Sequence, residues 1–443
     1  MARKVKLPRE PVTAQIEKLS HDGRGIAYIN GKATFIEGAL PGETVSFHYT
    51  LMKGKFAEGL VHSVIVAAHN RITPKCAVYD LCGGCNLQHL APDAQIAHKQ
   101  AVLAEQLQHF GKVVPKAWLP PLQANSWGYR RKARLGARHV SKKGGALVGF
   151  REKNGRFLVD MQACEVLHPL VGKKIHILRE WLNTLEGVEN IPQFEVAIDD
   201  THVALIMRHL KPLSAKDMVN IKAFAAREDF WFYLQPHGPD SIHRIWPESG
   251  EASLCYTLPQ YQINIRFAPS DFTQVNQDIN LKMVDLAMAL LKPEKTDSVL
   301  DLFCGLGNFT LPIARLAKSV FGVEGDASMT RLALENAQLN GISNVRYEAA
   351  NLFEDVSDKA FMQNTYDKIL LDPPRAGAEA IVKQFGRLKA RRIVYVSCNP
   401  ATLARDAGIL VNESGFTLET VGVMDMFPHT AHVESIALFS KGG

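Results

Sequence analysis

Apolar and polar positions alternate in three different ways along the chain. Residues 12–66 hold short alternating apolar runs separated by Gly, Asp and Pro, and strands at this spacing predict a small β-barrel. Residues 92–110 carry apolar side chains at helical spacing and stop at Gly111, which predicts an amphipathic helix. Strand and helix patterns mix over 157–266, and from residue 297 apolar strands alternate with helices, as in an open α/β sheet.

These patterns predict three domains, over residues 10–69, 70–266 and 267–443. A chain of 443 residues with 46% hydrophobic content can bury cores of that size. No apolar run approaches the roughly 20 residues needed to span a bilayer. Seven cysteines without a signal-sequence pattern predict a reducing compartment, and hence a cytoplasmic protein.

The net charge of +6 is unevenly distributed, and this indicates a nucleic-acid partner. Residues 127–156 contain ten Lys or Arg and a single acid, Glu152. Trp127, Tyr129 and Phe150 are interleaved with these bases. Such a surface binds phosphates and packs against sugars or bases, so we expect RNA contacts here.

A Gly-rich turn follows the first strand of the third domain, in DSVLDLFCGLGNFTLPIARLA, residues 297–317. Glycine at this position lets the backbone approach a nucleotide-like ligand closely. Dinucleotide-binding folds use G-x-G-x-x-G, whereas here Gly305 and Gly307 are followed by Thr310. Pyrophosphate binding is therefore disfavoured.

The next strands also end in polar residues. Glu324 lies roughly 20 residues beyond the turn, where a carboxylate accepts hydrogen bonds from ribose hydroxyls. Asn351 is placed to meet an adenine edge, and Asp372 precedes two prolines. The ordered set from Asp301 to Asp372 resembles class I S-adenosylmethionine-dependent methyltransferases. Amino-group methylases of that class carry Tyr after the two prolines, and Arg375 stands there in this chain, so carbon or another acceptor has to be considered.

Cys398 ends the strand after Asp372, in YVSCNPATLARD, residues 395–406. A thiol at this sheet edge faces the substrate. Carbon 5 of uracil is a poor nucleophile, but a thiolate adding to carbon 6 gives an enolate that attacks a sulfonium methyl group. A base must then remove the hydrogen on carbon 5 before β-elimination expels the cysteine. The sequence thus predicts Cys398 as a covalent nucleophile.

Three closely spaced cysteines, Cys76, Cys82 and Cys85, lie in CAVYDLCGGCNLQHL. The glycine pair between the last two gives a turn that lets the thiolates converge on one metal centre. A fourth ligand is needed, and Cys164 is the nearest remaining candidate in sequence. Zinc and iron–sulfur sites are both possible, and a lone distant fourth cysteine is more typical of iron–sulfur ligation.

Three motifs together resemble the signature of the RNA uracil-5-methyltransferases: DPPR at 372–375, SCNP at 397–400 and DMFPHTAHVE at 425–434. The N-terminal DGRGIAYINGKATFIEGALPGE resembles a TRAM domain, an OB-like RNA-binding barrel. The combination with four cysteines resembles the branch of the family that methylates 23S rRNA.

The resemblance implies an α/β protein with an N-terminal TRAM barrel, a central iron–sulfur α/β domain and a C-terminal Rossmann-like methyltransferase domain. It also implies that the helix at 92–115 packs with the catalytic domain, that Glu434 is the base, and that S-adenosylmethionine and a [4Fe–4S] cluster are the cofactors. The implied cofactor contacts are Gln274, Phe303, Asn308, Glu324, Asn351 and Asp372. The implied cluster ligands are Cys76, Cys82, Cys85 and Cys164.

A base-stacking residue, the partners of the protein and its alternative functions also have to be considered. Phe272, near Gln274, is a candidate for stacking on an extruded uracil. We expect a monomer that acts on 23S rRNA, without DNA or membrane partners. The alternatives are uracil-5 methylation of tRNA or another rRNA site, a non-catalytic RNA-binding ribosome assembly factor, an iron–sulfur radical methylase, and cytosine-5 methylation.

Overall fold

The computed structural model describes residues 7–250 and 253–442. Its chain divides into two compact units, and this division is coarser than the three predicted domains, whose boundaries stay a prediction. The first unit comprises Met1–Val102 and Phe427–His432, and the second comprises Leu103–Met426 and Val433–Gly443. None of the described helices is both long and apolar enough to cross a membrane.

A six-stranded sheet forms the first part of the first unit, in the order β1-β5-β6-β4-β3-β2. Alternate residues of β5, among them Val45 and Phe47, are buried in its core. Gly59 lies against the Phe47 ring so closely that a Cβ there would be 2.4 Å from it. The alternating apolar pattern of residues 12–66 therefore corresponds to strands of this sheet. Its strands are β1 (Val12–Gln15), β2 (Lys18–Leu19), β3 (Gly25–Ile29), β4 (Lys32–Glu37), β5 (Thr44–Met52) and β6 (Phe56–Val66).

The predicted amphipathic helix is present as α1 (Pro92–Gln106), which continues into a π-helical turn at Leu107–Gly111. Pro92 suits the first position of a helix because its missing N–H would have no partner there. Lys112 ends the turn in a left-handed conformation, with φ of 53°. The helix runs from the first unit into the second.

A second six-stranded sheet, in the order β13-β12-β11-β10-β8-β9, lies in the second unit. On β8, Arg134 and Arg138 are exposed while the apolar residues between them are buried. Part of the basic stretch therefore forms an outward face of a strand. The elements are β7 (Ala117–Trp118), β8 (Lys132–Val140), β9 (Gly145–Gly149), α2 (Pro169–Gly172), α3 (Ile175–Leu182), β10 (Gln193–Ile198), β11 (Val203–Arg208), α4 (Ala215–Glu228), β12 (Phe230–Gln235) and β13 (His243–Trp246).

The hairpin of β14 (Leu254–Leu258) and β15 (Ile263–Phe267) precedes an eight-stranded sheet, the catalytic sheet, in the order β18-β17-β16-β19-β20-β22-β21-β7. The elements are α5 (Gln277–Leu291), β16 (Ser298–Leu302), α6 (Thr310–Leu316), β17 (Ser319–Glu324), α7 (Ala327–Leu339), β18 (Val345–Ala349), β19 (Lys368–Leu371), α8 (Glu379–Val382), α9 (Phe385–Leu388), β20 (Arg392–Ser397), α10 (Pro400–Gly408), β21 (Thr417–Met424) and β22 (Glu434–Ser440). Short 3₁₀ turns lie at Ser141–Lys143, Val188–Asn190, Pro239–Ser241, Pro259–Tyr261 and Ala360–Gln363, and a π-helical turn lies at Ile409–Glu413.

Strands β16 to β20 of the catalytic sheet are parallel, and β22 is antiparallel to β20. The carboxyl ends of the parallel strands therefore meet at one edge, and the amino end of β22 lies at that same edge. We call this the carboxyl edge. Ligands of open α/β sheets bind at such an edge, so the predicted site residues have a common location in this fold.

Candidate active site at the carboxyl edge of the catalytic sheet

The turn after β16, residues 303–308, is called the cofactor loop here. Phe303 adopts a left-handed conformation with φ of 61°, which is uncommon for a bulky residue. Such strain costs about 1–3 kcal/mol and is concentrated at functional sites. Gly305 and Gly307 also have positive φ, and no described atom lies within 4 Å of where a Gly305 Cβ would stand. The loop thus leaves room for a ligand to approach its backbone.

Glu324, at the end of β17, holds the cofactor loop from one side. Its Oε2 accepts a hydrogen bond from the Gly305 N–H at 3.1 Å, and its Oε1 accepts from the N–H groups of Gly325 and Asp326 at 2.7 and 3.3 Å. A carboxylate has roughly four acceptor positions. The remaining capacity is consistent with the predicted hydrogen bond from a ribose hydroxyl.

Asn308, at the other end of the loop, makes side-chain contacts that the sequence did not reveal. Its Oδ1 accepts hydrogen bonds from the Tyr256 hydroxyl at 3.0 Å and from the Asn280 amide at 3.1 Å. Its Nδ2 donates to Asn280 Oδ1 at 2.9 Å. The side chain therefore supports the loop as well as standing where the cofactor contact is predicted.

Asp301 lies buried in β16 before the loop. Its Oδ2 accepts a hydrogen bond from Thr310 at 2.5 Å, whereas its Oδ1 has no hydrogen-bond partner among the described residues. Burial raises its pKa to about 7, and the charges of Asp372 and Glu324 act in the same direction. A buried carboxyl with an unsatisfied oxygen fits a cationic ligand, which would restore a normal ionised state.

Of the remaining predicted cofactor residues, Asp372 and Asn351 follow strands at the carboxyl edge, and Gln274 lies in the segment between β15 and α5. Asn351 is exposed two residues beyond β18, where its amide donates to Glu354 at 2.6 Å. Gln274 is partly exposed in the segment before α5. Asp372 directly follows β19, its N–H donates to the Leu302 carbonyl at 3.3 Å, and burial raises the pKa of its carboxyl to about 7.

The predicted nucleophile and base are adjacent in the strand register. Ser397 of β20 pairs with Ser435 of antiparallel β22. Cys398 follows the first of these residues and Glu434 precedes the second, so they stand next to the last pair of the same ladder. Cys398 is partly exposed, whereas the Glu434 side chain is buried. A solvent-facing structural role for Glu434 is thereby excluded.

Burial is the main cause of the high pKa of the Cys398 thiol. Burial, followed by the negative charges of Glu434 and Asp372, raises its pKa to about 12, while Arg375 acts in the opposite direction. Glu434, Asp372 and Arg375 are thus the charged groups that act on this thiol. A pKa in that range opposes formation of the thiolate at neutral pH.

Hydrogen bonds from α10, the helix that begins after Cys398, and from its N-cap Asn399 hold the loop that carries Arg375. Asn399 Nδ2 donates to the Arg375 carbonyl at 2.9 Å. The buried Asp406 accepts from the Ala378 N–H and from the Tyr395 hydroxyl, both at 2.7 Å. Asp406 was not among the predicted site residues, because an acid in a helix carries no sequence pattern that indicates a hydrogen-bond partner far along the chain.

The closing motif is divided between the two units. Phe427–His432 belong to the first unit, where the His429 carbonyl accepts from the N–H groups of Asn86 and Leu87 at 3.1 and 2.9 Å. His429 is buried and has a positive φ of 66°. These contacts are those of a packed loop. Glu434 begins β22 in the second unit.

The predicted cluster ligands do not form a recognisable metal site. Among residues 7–250 and 253–442 there is no group of three or more His, Cys, Asp or Glu side chains that could hold a metal ion. Cys82 is buried and its sulfur accepts from the Gly84 N–H at 3.4 Å, while Cys76 and Cys85 are partly exposed. Cys164 belongs to the second unit and is partly exposed.

Comparison with known proteins identifies the family. A Francisella tularensis subsp. novicida protein described as "23S rRNA (uracil(1939)-C(5))-methyltransferase RlmD" is 53% identical over 97% of this chain and 96% of its own. The chain belongs to the RlmD family. A relative with the same description from Alcanivorax borkumensis is 52% identical over 100% of this chain and 99% of its own.

Two family profiles agree with this assignment to the RlmD family. The profile of the tRNA (Uracil-5-)-methyltransferases matches residues 255–442, and that of the TRAM domain matches residues 6–61. The predicted TRAM domain is therefore confirmed. Among solved structures, the Pyrococcus abyssi tRNA (uracil-54, C5)-methyltransferase in complex with S-adenosyl-L-homocysteine has a TM-score of 0.73, 24% identity and coverage of 96% of this chain and 99% of that chain. This likeness confirms the methyltransferase fold.

Proposed function

We propose that this protein transfers a methyl group from S-adenosylmethionine to carbon 5 of a uridine in 23S rRNA. The description of its RlmD relatives places that uridine at position 1939. One observation carries the chemistry: antiparallel β22 brings Glu434 beside Cys398 at the carboxyl edge, the same edge that carries the cofactor loop. The proposed nucleophile, base and cofactor site thus share one edge of the sheet.

The carboxyl edge suits S-adenosylmethionine, which supplies an electrophilic methyl group when it is bound. Glu324 would hold the ribose, and Asn351 would meet the adenine edge. The open backbone at Gly305 gives room for close approach, and the carboxyl of Asp301 would balance positive charge. Gln274, Phe303, Asn308 and Asp372 complete the proposed cofactor contacts.

Cys398 would start the reaction as a thiolate. Its sulfur bonds to carbon 6 of uracil, the carbon 5–carbon 6 double bond opens, and the electron pair moves onto carbon 5 and the carbonyl oxygen. Carbon 5 would then take the methyl group of S-adenosylmethionine as the bond between that methyl group and the sulfonium sulfur breaks, which would leave S-adenosylhomocysteine. Because burial raises the pKa of the thiol to about 12, we propose that RNA binding favours its ionisation, and Arg375 is the neighbouring charge that acts in this direction.

Glu434 would complete the reaction by removing the proton from carbon 5. The electrons of that bond restore the double bond, and the bond from carbon 6 to the Cys398 sulfur breaks. A buried carboxylate close to the nucleophile has the position that this step requires. Phe272, whose side chain is 70% exposed, is a candidate to stack on the extruded base.

RNA binding would use the basic stretch at 127–156 and the TRAM domain. The outward arginines of β8 present positive charge to a phosphate backbone. On the TRAM domain, Lys53 lies over the Phe56 ring at 5.4 Å, which offers both charge and an aromatic surface. We further propose that the protein acts as a monomer in the cytoplasm, where rRNA is found.

A [4Fe–4S] cluster stays a prediction that rests on the cysteine spacing and on the family. The predicted ligands are Cys76, Cys82, Cys85 and Cys164, and no step of the reaction depends on them. Iron and acid-labile sulfide should be measured in protein purified without oxygen, with Cys82→Ala compared to Cys255→Ala as the matched control. Loss of iron in Cys82→Ala alone would support the cluster, whereas zinc or no metal in the unaltered protein would contradict it.

Methyl transfer into protein-free 23S rRNA, with tRNA in parallel, tests the proposed function. The label comes from S-adenosylmethionine, and the modified nucleoside is identified by mass spectrometry. We expect 5-methyluridine in 23S rRNA alone. Label in tRNA would indicate the alternative substrate, 5-methylcytidine would contradict the assigned base, and no label in any RNA would favour the assembly-factor alternative.

A further inference from the structure

The hairpin β14–β15 pairs along its outer edge with Asn336 of α7 and with Asn340, the residue that caps the C-terminal end of that helix, instead of a third strand. The N–H and carbonyl of Asn264 hydrogen-bond to the Asn340 side chain at 2.8 and 2.7 Å. Those of Arg266 hydrogen-bond to the Asn336 side chain at 2.9 and 3.1 Å. Four residues of a helix rise about 6 Å and two residues of a strand about 6.8 Å, so the spacings match.

Asn336 makes one contact that Asn340 lacks. Its Nδ2 also donates to the carbonyl of Leu306 at 3.3 Å, and Leu306 stands between the two glycines of the cofactor loop. The Asn336 side chain is 1% exposed, so water cannot replace these bonds. One amide thus joins the hairpin to the centre of the loop.

A second bond joins the same hairpin to the loop. The hydroxyl of Tyr256, on β14, donates to Asn308 Oδ1 at 3.0 Å, and the Tyr256 side chain is buried. The two bonds lie on either side of Gly307. Because glycine gives a loop many alternative conformations, bonds on both sides restrict the loop strongly.

We propose that Asn336 and Tyr256 are positioning residues that hold the cofactor loop in the shape that receives S-adenosylmethionine. The proposal rests on the proposed use of that cofactor at this loop. Neither residue takes part in bond making. Without either bond, the glycine-containing loop samples other conformations, and ordering it opposes binding. Cofactor affinity therefore changes more than the rate of the chemical step.

Asn336→Ala and Asn340→Ala form the paired test, since each removes two side-chain hydrogen bonds to β15 and one further bond. For Asn336 the further bond is the one to Leu306, and for Asn340 it is the one to the Asn336 carbonyl. The dissociation constant of S-adenosylhomocysteine is measured by calorimetry, together with the unfolding midpoint and with KM for S-adenosylmethionine and kcat. Asn336→Ala should weaken binding about 5-fold to 20-fold and raise KM more than it lowers kcat. Asn340→Ala should lower the unfolding midpoint comparably and change binding less than about 2-fold.

Tyr256→Phe removes a single hydroxyl and decides the question if Asn336→Ala fails to fold. It should weaken binding about 3-fold to 10-fold. Equal affinities for the two asparagine variants, or an unchanged affinity for Tyr256→Phe, would overturn the proposal. Failure of the unaltered protein to bind S-adenosylhomocysteine would instead contradict the proposed function itself.

Discussion

The two halves of the carboxyl edge differ in how far their side chains are already arranged for the proposed reaction. In the cofactor half, formed by β16 to β18, the loop is already held by Glu324 and Asn308. In the substrate half, formed by β19, β20 and β22, burial and two carboxyl groups oppose ionisation of the Cys398 thiol. We therefore propose that the cofactor loop is preorganised, whereas the proposed nucleophile depends on the substrate for its activation.

The surroundings of Cys304 and Cys398 illustrate this difference. Cys304 follows β16 and Cys398 follows β20, so both stand at ends of parallel strands. Burial raises the pKa of both thiols. Cys304 is only 5% exposed and has no cation among the influences on its pKa, whereas Cys398 is partly exposed and has Arg375 beside it. Accessibility and one opposing cation therefore distinguish the nucleophile from a packed residue.

The largest effect on methyl transfer should come from replacing one of these two cysteines, Cys398, by alanine, with Cys304 replaced in the same way for comparison. Cys398→Ala should lower methyl transfer by at least about 10³-fold, because no other group can bond to carbon 6. Cys304→Ala should retain activity within about 10-fold, since its thiol only packs beneath the loop. Radiolabel incorporation into 23S rRNA measures both. A folded but inactive Cys304→Ala variant would contradict the distinction between a packed Cys304 and a reactive Cys398.

Removal of the base should be the next largest effect. Glu434→Gln should lower turnover by about 10²-fold to 10⁴-fold and should accumulate a covalent, methylated RNA–protein adduct on denaturing gels. The amide cannot take the proton, so the cysteine is not expelled. Alkylation of Cys398 by iodoacetamide in the same variant should be no slower than in the unaltered protein. Lost turnover without any adduct would assign Glu434 an earlier role.

Asp372→Asn should make the free thiol more reactive. Removing a negative charge lowers the pKa of Cys398, and a lower pKa gives more thiolate at any pH below about 12. Alkylation at pH 8 should be about 3-fold to 10-fold faster.

The pH dependence of that gain identifies its cause. The pKa of Asp372 is about 7, so the gain should shrink below pH 6, where the unaltered carboxyl is already neutral. Arg375→Gln should slow alkylation over the whole range. An Asp372→Asn effect that is equal at pH 5.5 and pH 8 would show that charge is not its cause.

The smallest effect should come from the outward face of β8. Arg138→Gln should weaken RNA binding about 2-fold to 5-fold and reduce the slope of log affinity against log salt by about 1, while KM for S-adenosylmethionine stays constant. Lys222→Gln is the control, because Lys222 is a partly exposed base in an ion pair with Glu248 at 2.6 Å. Equal salt slopes for the two variants would exclude this face from RNA binding.

The sequence predicted best what is local along the chain. The strands that end before Glu324 and Asp372, and the turn between β16 and α6, follow from apolar runs and glycines within a few residues. The contacts of Asn336, Tyr256 and Asp406 could not be predicted, because their partners lie 11 to 70 residues away. Side-chain amides, hydroxyls and single acids are common on helices and strands, and no periodicity marks such bonds.

The pairing of nucleophile and base also lay beyond pattern analysis. Strand β22 inserts between β20 and β21 in the sheet although it is the last strand in the chain. Apolar periodicity gives the strand but neither its neighbours nor its direction. Family resemblance predicted the role of Glu434, and the antiparallel register supplies the physical reason for its location. The exposure of Phe272 likewise depends on tertiary structure.

The central claim is that Cys398 bonds to carbon 6 of the target uracil. The most direct test incubates the protein and S-adenosylmethionine with a 23S rRNA fragment that carries 5-fluorouridine, whose fluorine the base cannot remove as a proton, and then maps the RNA-linked peptide by mass spectrometry. We predict a stable methylated adduct on the peptide containing Cys398. An adduct on any of the other six cysteines, or none on a fragment whose unfluorinated form is methylated, would contradict the account.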